Sequence, residues 1–278
     1  MDGILYLVAT PIGNLGDMTT RAIQTLQEAD IIAAEDTRNS IKLLNHFGIK
    51  TPMSSYHEHN KYDKADYLIS ELKNGKNIAL ITDAGTPGIS DPGEVLVQKC
   101  IESGIRVTSL PGCCALISAL IVSGLPSRRF CFEAFLPADK KERKAILEEL
   151  KTETRTIILY EAPHHLRETL KDLLDFLGDR QITICRELTK KFEDIRPTTL
   201  KESVLFYDEN EPRGEYVLVI RGEKRSKLVL KDQEEWTDIS IETHLQMYID
   251  DGMDKKEAMK KVAQDRGISR RDVYKALL

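Results

Sequence analysis

The segment Thr82–Gly93, TDAGTPGISDPG, places three glycines, two prolines and two aspartates directly behind the apolar run Asn77-Ile78-Ala79-Leu80-Ile81. A strand that ends in so much backbone punctuation delivers a shaped loop to the edge of a sheet, where main-chain groups can approach a ligand without interference from a β-carbon. The exit is ordered as well. Asp91-Pro92-Gly93-Glu94 reads as an N-cap, a proline at the first helical position and a glutamate three residues after the cap, followed by the apolar-periodic Val95, Leu96, Cys100 and Ile101. Strand, loop and helix thus form one βα unit, and open α/β sheets seat ligands outside the carboxyl ends of their strands.

The same alternation runs through the first half of the chain. Strands are predicted at Ile4 to Ala9, Ile31 to Ala34, 77–81 and Arg106 to Leu110. Between them come a helix capped by Asp17, one through Ile41 and Leu44, one at about Lys64 to Leu72 and one at 92–103. This makes residues 1–115 a parallel α/β domain. Pro111-Gly112 then opens onto a strongly apolar helix, Ala115 to Val122, whose start can serve a polar ligand or simply connect two domains.

Residues 116–222 read as a second α/β domain with strands at 130–134, Thr156 to Tyr160, Gln181 to Cys185, near Ser203 to Tyr207 and at Glu215 to Ile220, and helices at about 139–151 and His165 to Leu177. Long connections between the late strands predict a mixed sheet. Residues 223–235 are mostly polar and read as a linker. In the tail, 236–278, three short helices are predicted, the second starting at Asp254 and the last capped by Ser269 with Asp272 three residues on. The fold class is therefore α/β, two domains with a small helical C-terminal extension.

At 278 residues, 41% apolar and 31% charged, the chain can bury proper cores. Its longest apolar stretch, Cys113 to Val122, falls short of the roughly 20 residues that span a bilayer, and Met1-Asp2-Gly3 carries no basic leader, so the expectation is a cytoplasmic protein without a membrane segment. Five scattered cysteines fit neither a disulfide framework nor a metal knuckle. A net charge of -5 does not favour nucleic acid by itself, but basic pairs cluster at Arg128-Arg129, Lys140-Lys141, Lys190-Lys191, Lys255-Lys256, Lys260-Lys261 and Arg270-Arg271. Any one of these is first explained as a solvated helix face; several together can form a basic stripe.

No GxxxxGK[ST], GxGxxG or HExxH motif is present. What remains is a set of polar clusters at strand ends: Glu35-Asp36-Thr37-Arg38, Tyr56-His57-Glu58-His59-Asn60, the 82–93 loop, Tyr160-Glu161-Ala162-Pro163-His164-His165 and Arg186-Glu187-Leu188-Thr189-Lys190. All five can rim one cleft. His57 and His59 supply at most two metal ligands with no third by spacing, so no metal is expected; an acid/base role or a plain exposed loop both remain open for this segment.

These segments, together with Leu7-Val8-Ala9-Thr10-Pro11-Ile12-Gly13-Asn14-Leu15-Gly16-Asp17 and Leu110-Pro111-Gly112, closely resemble the tetrapyrrole methylase family and, within it, the enzymes that methylate small-subunit ribosomal RNA. The resemblance runs to about residue 222. It implies two α/β domains with S-adenosylmethionine in the cleft between them, a homodimer, and methyl transfer to the ribose 2′-oxygen of a cytidine in the decoding region of 16S rRNA, as naked rRNA or the 30S particle. By motif position it implies cofactor contacts at Ile12, at Asp83, Ala84, Gly85, Thr86, Gly88, Ile89 and Ser90, at Gly112, Cys113 and Cys114, at Tyr160, Leu188, Gly214 and Glu215. The chain departs from the wider family in Thr10-Pro11-Ile12-Gly13, which is less glycine-rich, and in Cys113-Cys114, where small residues such as serine are common.

Methyl transfer from a sulfonium to a ribose hydroxyl needs alignment and a base. Glu35, Asp36, His57, Glu58, Glu161 and Glu187 are the candidates for base or orienting group, and Arg38, Arg186 and Lys190 for RNA contact. Two other readings compete: methylation of a tetrapyrrole such as a precorrin or uroporphyrinogen, which would not need the tail, and a non-catalytic ribosome-binding factor.

Overall fold

The computed structural model describes residues 2–234 and 236–278. The first domain is a five-stranded parallel sheet built from β1 (Ile4–Val8), β2 (Ile31–Ala34), β3 (Met53–Ser55), β4 (Ile78–Ile81) and β5 (Arg106–Leu110), in the spatial order β3-β2-β4-β1-β5. Helices α1 (Thr20–Glu28), α2 (Thr37–His46), α3 (Lys61–Lys73) and α4 (Glu94–Glu102) cover its two faces. Every residue of β2 and β4 is buried, which is why both strands are continuous apolar runs rather than alternating ones. The two-residue period sorts β4 between two cores: Ile78 and Leu80 pack with Leu68, Leu72 and Leu96 of α3 and α4, while Ala79 and Ile81 pack with Ala22, Leu26 and Leu44 of α1 and α2.

Helix α5 (Ala115–Val122) crosses to the second domain, where Leu116, Ala119 and Leu120 pack on Ile158, Cys185, Val217 and Val219. That domain's sheet comprises β6 (Phe130–Ala134), β7 (Thr156–Glu161), β8 (Gln181–Arg186), β9 (Asp194–Thr199) and β10 (Tyr216–Ile220), ordered β6-β7-β10-β8-β9. Only β6 and β7 are parallel; β10 runs antiparallel to β7 and β8, and β9 antiparallel to β8, so the sheet is mixed as expected. Helices α6 (Lys140–Leu150), α7 (Leu166–Leu177) and α8 (Leu200–Glu209) bury the face opposite α5 through residues such as Leu147, Leu170, Leu173 and Tyr207.

Three expectations need correction. Ser203 to Tyr207, rich in strand formers, lies inside α8: Thr199 Oγ1 accepts the Glu202 N–H (3.3 Å), and Leu200, Ser203 and Tyr207 are buried at helical spacing. The strand in this region is β9, a polar edge strand whose Pro197 is tolerated because a sheet edge asks fewer hydrogen bonds of it. Helix α4 begins at Glu94 behind Gly93, which leaves Asp91 outside the helix instead of capping it. The first α-helix likewise starts after Thr19, whose side chain caps it, while Asp17 closes a short 3₁₀ turn.

The 223–235 segment contains α9 (Arg225–Glu234), a polar helix. The tail holds α10 (Ile241–Asp250), α11 (Lys255–Asp265) and α12 (Arg270–Ala276) around Leu245, Ala258, Val262 and Val273, with Ser269 and Asp272 forming a reciprocal capping box. No helix among the described residues is long and apolar enough to cross a membrane. Thr199→Ala, which removes the α8 cap, is expected to lower unfolding free energy by about 1 kcal/mol in urea titrations with an unchanged m-value.

Candidate active site

Because β4 lies directly beside β1, the loops that leave their carboxyl ends meet although they are some 70 residues apart in sequence. Thr10 and Gly85 exchange two backbone hydrogen bonds (2.8 and 3.0 Å), and Thr10 Oγ1 donates to the Thr82 carbonyl (3.2 Å). Gly85 sits at φ +85°, a conformation that side chains resist, and it brings the backbone against Ile12, whose Cγ2 would lie 3.4 Å from a β-carbon there. The loop after β5 joins through Thr86 Oγ1, which donates to the Cys113 carbonyl (2.9 Å). Gly112 permits this approach, since a β-carbon would lie 2.7 Å from that of Ala9. Three loops therefore make one wall.

The second domain supplies the opposite wall from the ends of β7, β8 and β10. Tyr160 accepts the Leu116 N–H (3.2 Å), tying β7 to the first turn of α5, and its ring packs edge-on against Phe132 and Phe135. Burial first, reinforced by nearby acidic groups, pushes the Tyr160 phenol up to about 12, so it is a neutral hydroxyl at ordinary pH. The cleft between the walls has a volume of about 450 Å³, within the range of small-molecule sites.

Its apolar parts come from residues such as Ile12, Ile89, Leu188 and Val217; its charged lining is overwhelmingly acidic, Glu35, Asp83, Asp91, Glu161, Glu187 and Glu215 facing a single lysine, Lys190. In the first domain the Asp83 carboxylate accepts from the Asp36 N–H and from Asn39 Nδ2, and Glu35 accepts from the Asp83 N–H. Burial, with the charges of Asp83 and Asp36 added, raises the Glu35 carboxyl against the opposing Asp83 N–H and His57. Asp91 is raised further, to about 7, by burial and then by the negative charges of Glu35 and Asp83.

In the second domain Glu187 accepts from Lys190 Nζ (2.9 Å) and the Glu215 N–H (3.0 Å). Burial works against its ionised form, but these bonds and the charges of Lys190 and Arg186 outweigh burial and hold the carboxyl below its ordinary value. Glu161 is buried and doubly held, by the Ala162 N–H (2.8 Å) and by the Thr169 hydroxyl.

Most residues singled out from sequence converge here: Ile12, Glu35, Asp83, Ala84, Gly85, Thr86, Ile89, Ser90, Cys114, Tyr160, Glu161, Glu187, Leu188, Lys190 and Glu215 all line the cleft. Gly88, Gly112, Cys113 and Gly214 shape the loops just behind the lining. Asp36 does not face the cleft: it caps α2 and is gripped by the Arg38 guanidinium (3.1 and 2.9 Å), which holds its carboxyl down at about 2, so both residues are occupied with each other. His57 lies behind Glu35 with a buried, unpartnered Nδ1, and Glu58 is exposed and paired with Lys61. Arg186 faces a different groove altogether.

Sequence reasoning missed Asp91, Phe135 and Tyr216 as lining residues. Asp91 was visible in the loop, but its resemblance to a helix cap concealed it. Phe135 follows a bulge at Ala134 (φ +51°) that no local signal announces. Among the described residues no group of three or more His, Cys, Asp or Glu is placed to hold a metal ion, and all five cysteines are free thiols.

Residues 4–203 match the model of the family described as Tetrapyrrole (Corrin/Porphyrin) Methylases. The chain belongs to the tetrapyrrole methylase family. Membership makes it a methyltransferase that uses S-adenosylmethionine. It is 51% identical to a Halalkalibacterium halodurans protein over 98% of this chain and 93% of that one, and 49% identical to a Bacillus subtilis protein over 99% and 94%; both relatives carry the name ribosomal RNA small subunit methyltransferase I. Among solved structures, a cobalt precorrin-4 methyltransferase aligns with TM-score 0.59 at 16% identity over 78% of this chain and 94% of that one. A diphthine synthase aligns with 0.60 at 13%, over 79% and 90%. These two likenesses concern the fold alone.

The elevated Asp91 has a thermodynamic consequence. Its carboxyl keeps its proton in the folded state up to about pH 7, whereas the unfolded chain loses it near 3.8, so its contribution to stability is fully present below about 3.8 and lost as pH rises through about 7. Asp91→Asn is therefore expected to raise Tm relative to wild type by an amount that is small at pH 4, grows to pH 7 and is flat above. A Tm difference independent of pH would show that Asp91 ionises normally.

Proposed function

We propose that the chain transfers a methyl group from S-adenosylmethionine to small-subunit (16S) rRNA, at the ribose 2′-oxygen of a cytidine in the decoding region. The observation that carries the substrate is the match of about half of all residues, over nearly the whole length of both chains, to proteins named ribosomal RNA small subunit methyltransferase I. What supports a ribose hydroxyl as acceptor is the pair of carboxyls with raised proton affinity, Asp91 and Glu35, side by side in the cleft.

The residues present suit the donor. A cleft carrying six carboxylates against one lysine favours a cationic ligand. Backbone groups of Asp83 to Thr86 and Ile12, the side chains of Ile89, Ser90, Cys114 and Leu188, and the first turn of α5 at Ala115, whose N-cap Cys114 makes no side-chain cap bond, would hold it. When bound, S-adenosylmethionine supplies an electrophilic methyl group on a positively charged sulfur. The protein's task is then to align the acceptor, exclude water and accept one proton. Asp91, whose proton affinity sits near working pH, is the group best matched to take that proton, with Glu35 beside it; Asp36, held near 2, is a poor base. Tyr160, neutral and fixed through Leu116, can orient an oxygen by donation. Glu161 and Glu187, each anchored by two hydrogen bonds, shape the far wall.

The competing tetrapyrrole substrate shares the cleft, but uroporphyrinogen is itself rich in carboxylates and would enter against like charge. A homodimer is part of the proposal: α5 presents Ile117, Ile121 and Val122 on one exposed face, with Ile121 71% accessible in the single chain. A ribosomal substrate places the reaction in the cytoplasm.

Purified protein incubated with labelled S-adenosylmethionine is expected to label small subunits lacking the modification, in a ribose-methylated cytidine identified by mass spectrometry of nuclease digests. Label appearing only in uroporphyrinogen would overturn the assignment; label in neither, with no heat on titrating the donor, would favour a non-catalytic ribosome-binding factor. Asp91→Asn is expected to lower kcat by about 10²-fold or more while leaving donor affinity, read by calorimetry, within a few-fold of wild type.

A further inference from the structure

A second groove, of about 590 Å³, lies on the other side of the turn that joins β8 to β9. The turn is held in an unusual shape by two left-handed residues, Glu187 (φ +51°) and Thr189 (φ +65°), and by the Glu193 carboxylate, which accepts the Thr189 N–H (2.6 Å). The effect is to divide its side chains. Glu187, Leu188 and Lys190 line the methyl-transfer cleft, whereas Arg186, Lys191 and Phe192 line the groove, together with Arg196 of β9 and Arg213 from the loop before β10.

The chemistry of the two spaces is opposite. The cleft is acidic, whereas the groove sets four cationic side chains against three acidic ones: Arg196 pairs with Asp194 (3.3 Å), the exposed Arg213 pairs with Glu211 (3.1 Å), and Glu193 is engaged by the Thr189 N–H. Arg186 Nη2 donates to the Phe192 carbonyl (3.3 Å), which ties the β8 end to the turn, while its Nε is buried. Phe192 stands 64% exposed, with Lys191 Nζ over one face of its ring (5.6 Å from the centroid), an accessible aromatic ring among cations. Cations that track a phosphate backbone and an exposed ring on which a base can stack are the two components of single-stranded nucleic-acid recognition.

We propose that this groove holds the phosphate backbone of the RNA strand that brings the target ribose to the cleft, with Phe192 as the stacking platform for one of its bases. This deepens the rRNA reading and rests on it. An acidic cleft repels phosphate, so a strand can present its ribose there only if its flanking phosphates are seated elsewhere, and the groove is the cationic surface that shares a wall with the cleft.

The test compares wild type with Phe192→Ala and with the double variant Lys191→Glu/Arg213→Glu, all three substitutions being at exposed positions. Binding of a fluorescein-labelled single-stranded RNA oligonucleotide is followed by anisotropy at several salt concentrations, beside methylation of undermodified small subunits. Phe192→Ala is expected to weaken oligonucleotide binding about tenfold, the effect of losing one stacked base. The double variant is expected to weaken it further and to flatten the slope of log K against log salt by about 1, the signature of lost phosphate contacts. Both should raise KM for the subunit more than they lower kcat. Wild-type-like RNA binding in both variants, or no binding by wild type, overturns the proposal. So does an unchanged oligonucleotide affinity combined with a lost subunit affinity, since that marks a ribosomal-protein contact. If RNA binding depends on these residues but wild type methylates no rRNA, the groove stands and the assigned reaction fails.

Discussion

The two hydrogen bonds between Thr10 and Gly85 are the contact on which the rest of the site depends. They exist because β4 is inserted between β2 and β1, which brings two distant loops to the same sheet edge, and because residue 85 is a glycine able to hold φ +85° against Ile12. Once those loops are joined, the Thr86 hydroxyl draws in the Cys113 carbonyl and the start of α5, and Tyr160 closes onto α5 from the second domain. A chain of polar contacts thus sets the spacing of the two walls, and Ile12 and Ile89 of the first wall pack against the core around Leu188 and Val217 of the second.

Charge divides the labour around that frame. The cleft buries carboxylates beside one another, and burial first and then the neighbouring charges leave Asp91 poised near neutrality, while Asp36, adjacent to Glu35 in sequence but forked by Arg38, is held ionised. The environment that suits a positively charged methyl donor is unsuited to phosphate. The turn after β8 resolves this by facing Glu187, Leu188 and Lys190 inward and Arg186, Lys191 and Phe192 outward, so that one short segment walls both an acidic and a cationic space.

Much of the architecture was legible from residue patterns. The buried runs at β2 and β4, the glycine-rich loop and the helix starts at Asp254 and Ser269 all appear where periodicity and capping chemistry indicate. Errors arose where local preference and tertiary context disagree. Ser203 to Tyr207 looks like a strand because its residues favour one, yet the Thr199 cap and the burial of Leu200, Ser203 and Tyr207 on one face make it helical. Asp91 looks like a cap because Pro92 and Glu94 follow it, yet the helix starts later and the carboxylate faces the cleft.

Sequence alone determined the two α/β units, the loops that carry the chemistry and the family resemblance, because periodicity, glycine placement and motif order are local properties of the chain. The tertiary structure alone decided which carboxylates share the cleft, that Asp36 and Arg38 neutralise each other, that Arg186 and Lys190 face different spaces, and that Asp91 titrates near 7. A proton affinity is set by the burial and charges surrounding a group in space, and residues such as Glu35 and Asp91 become neighbours only when the sheet brings their loops together.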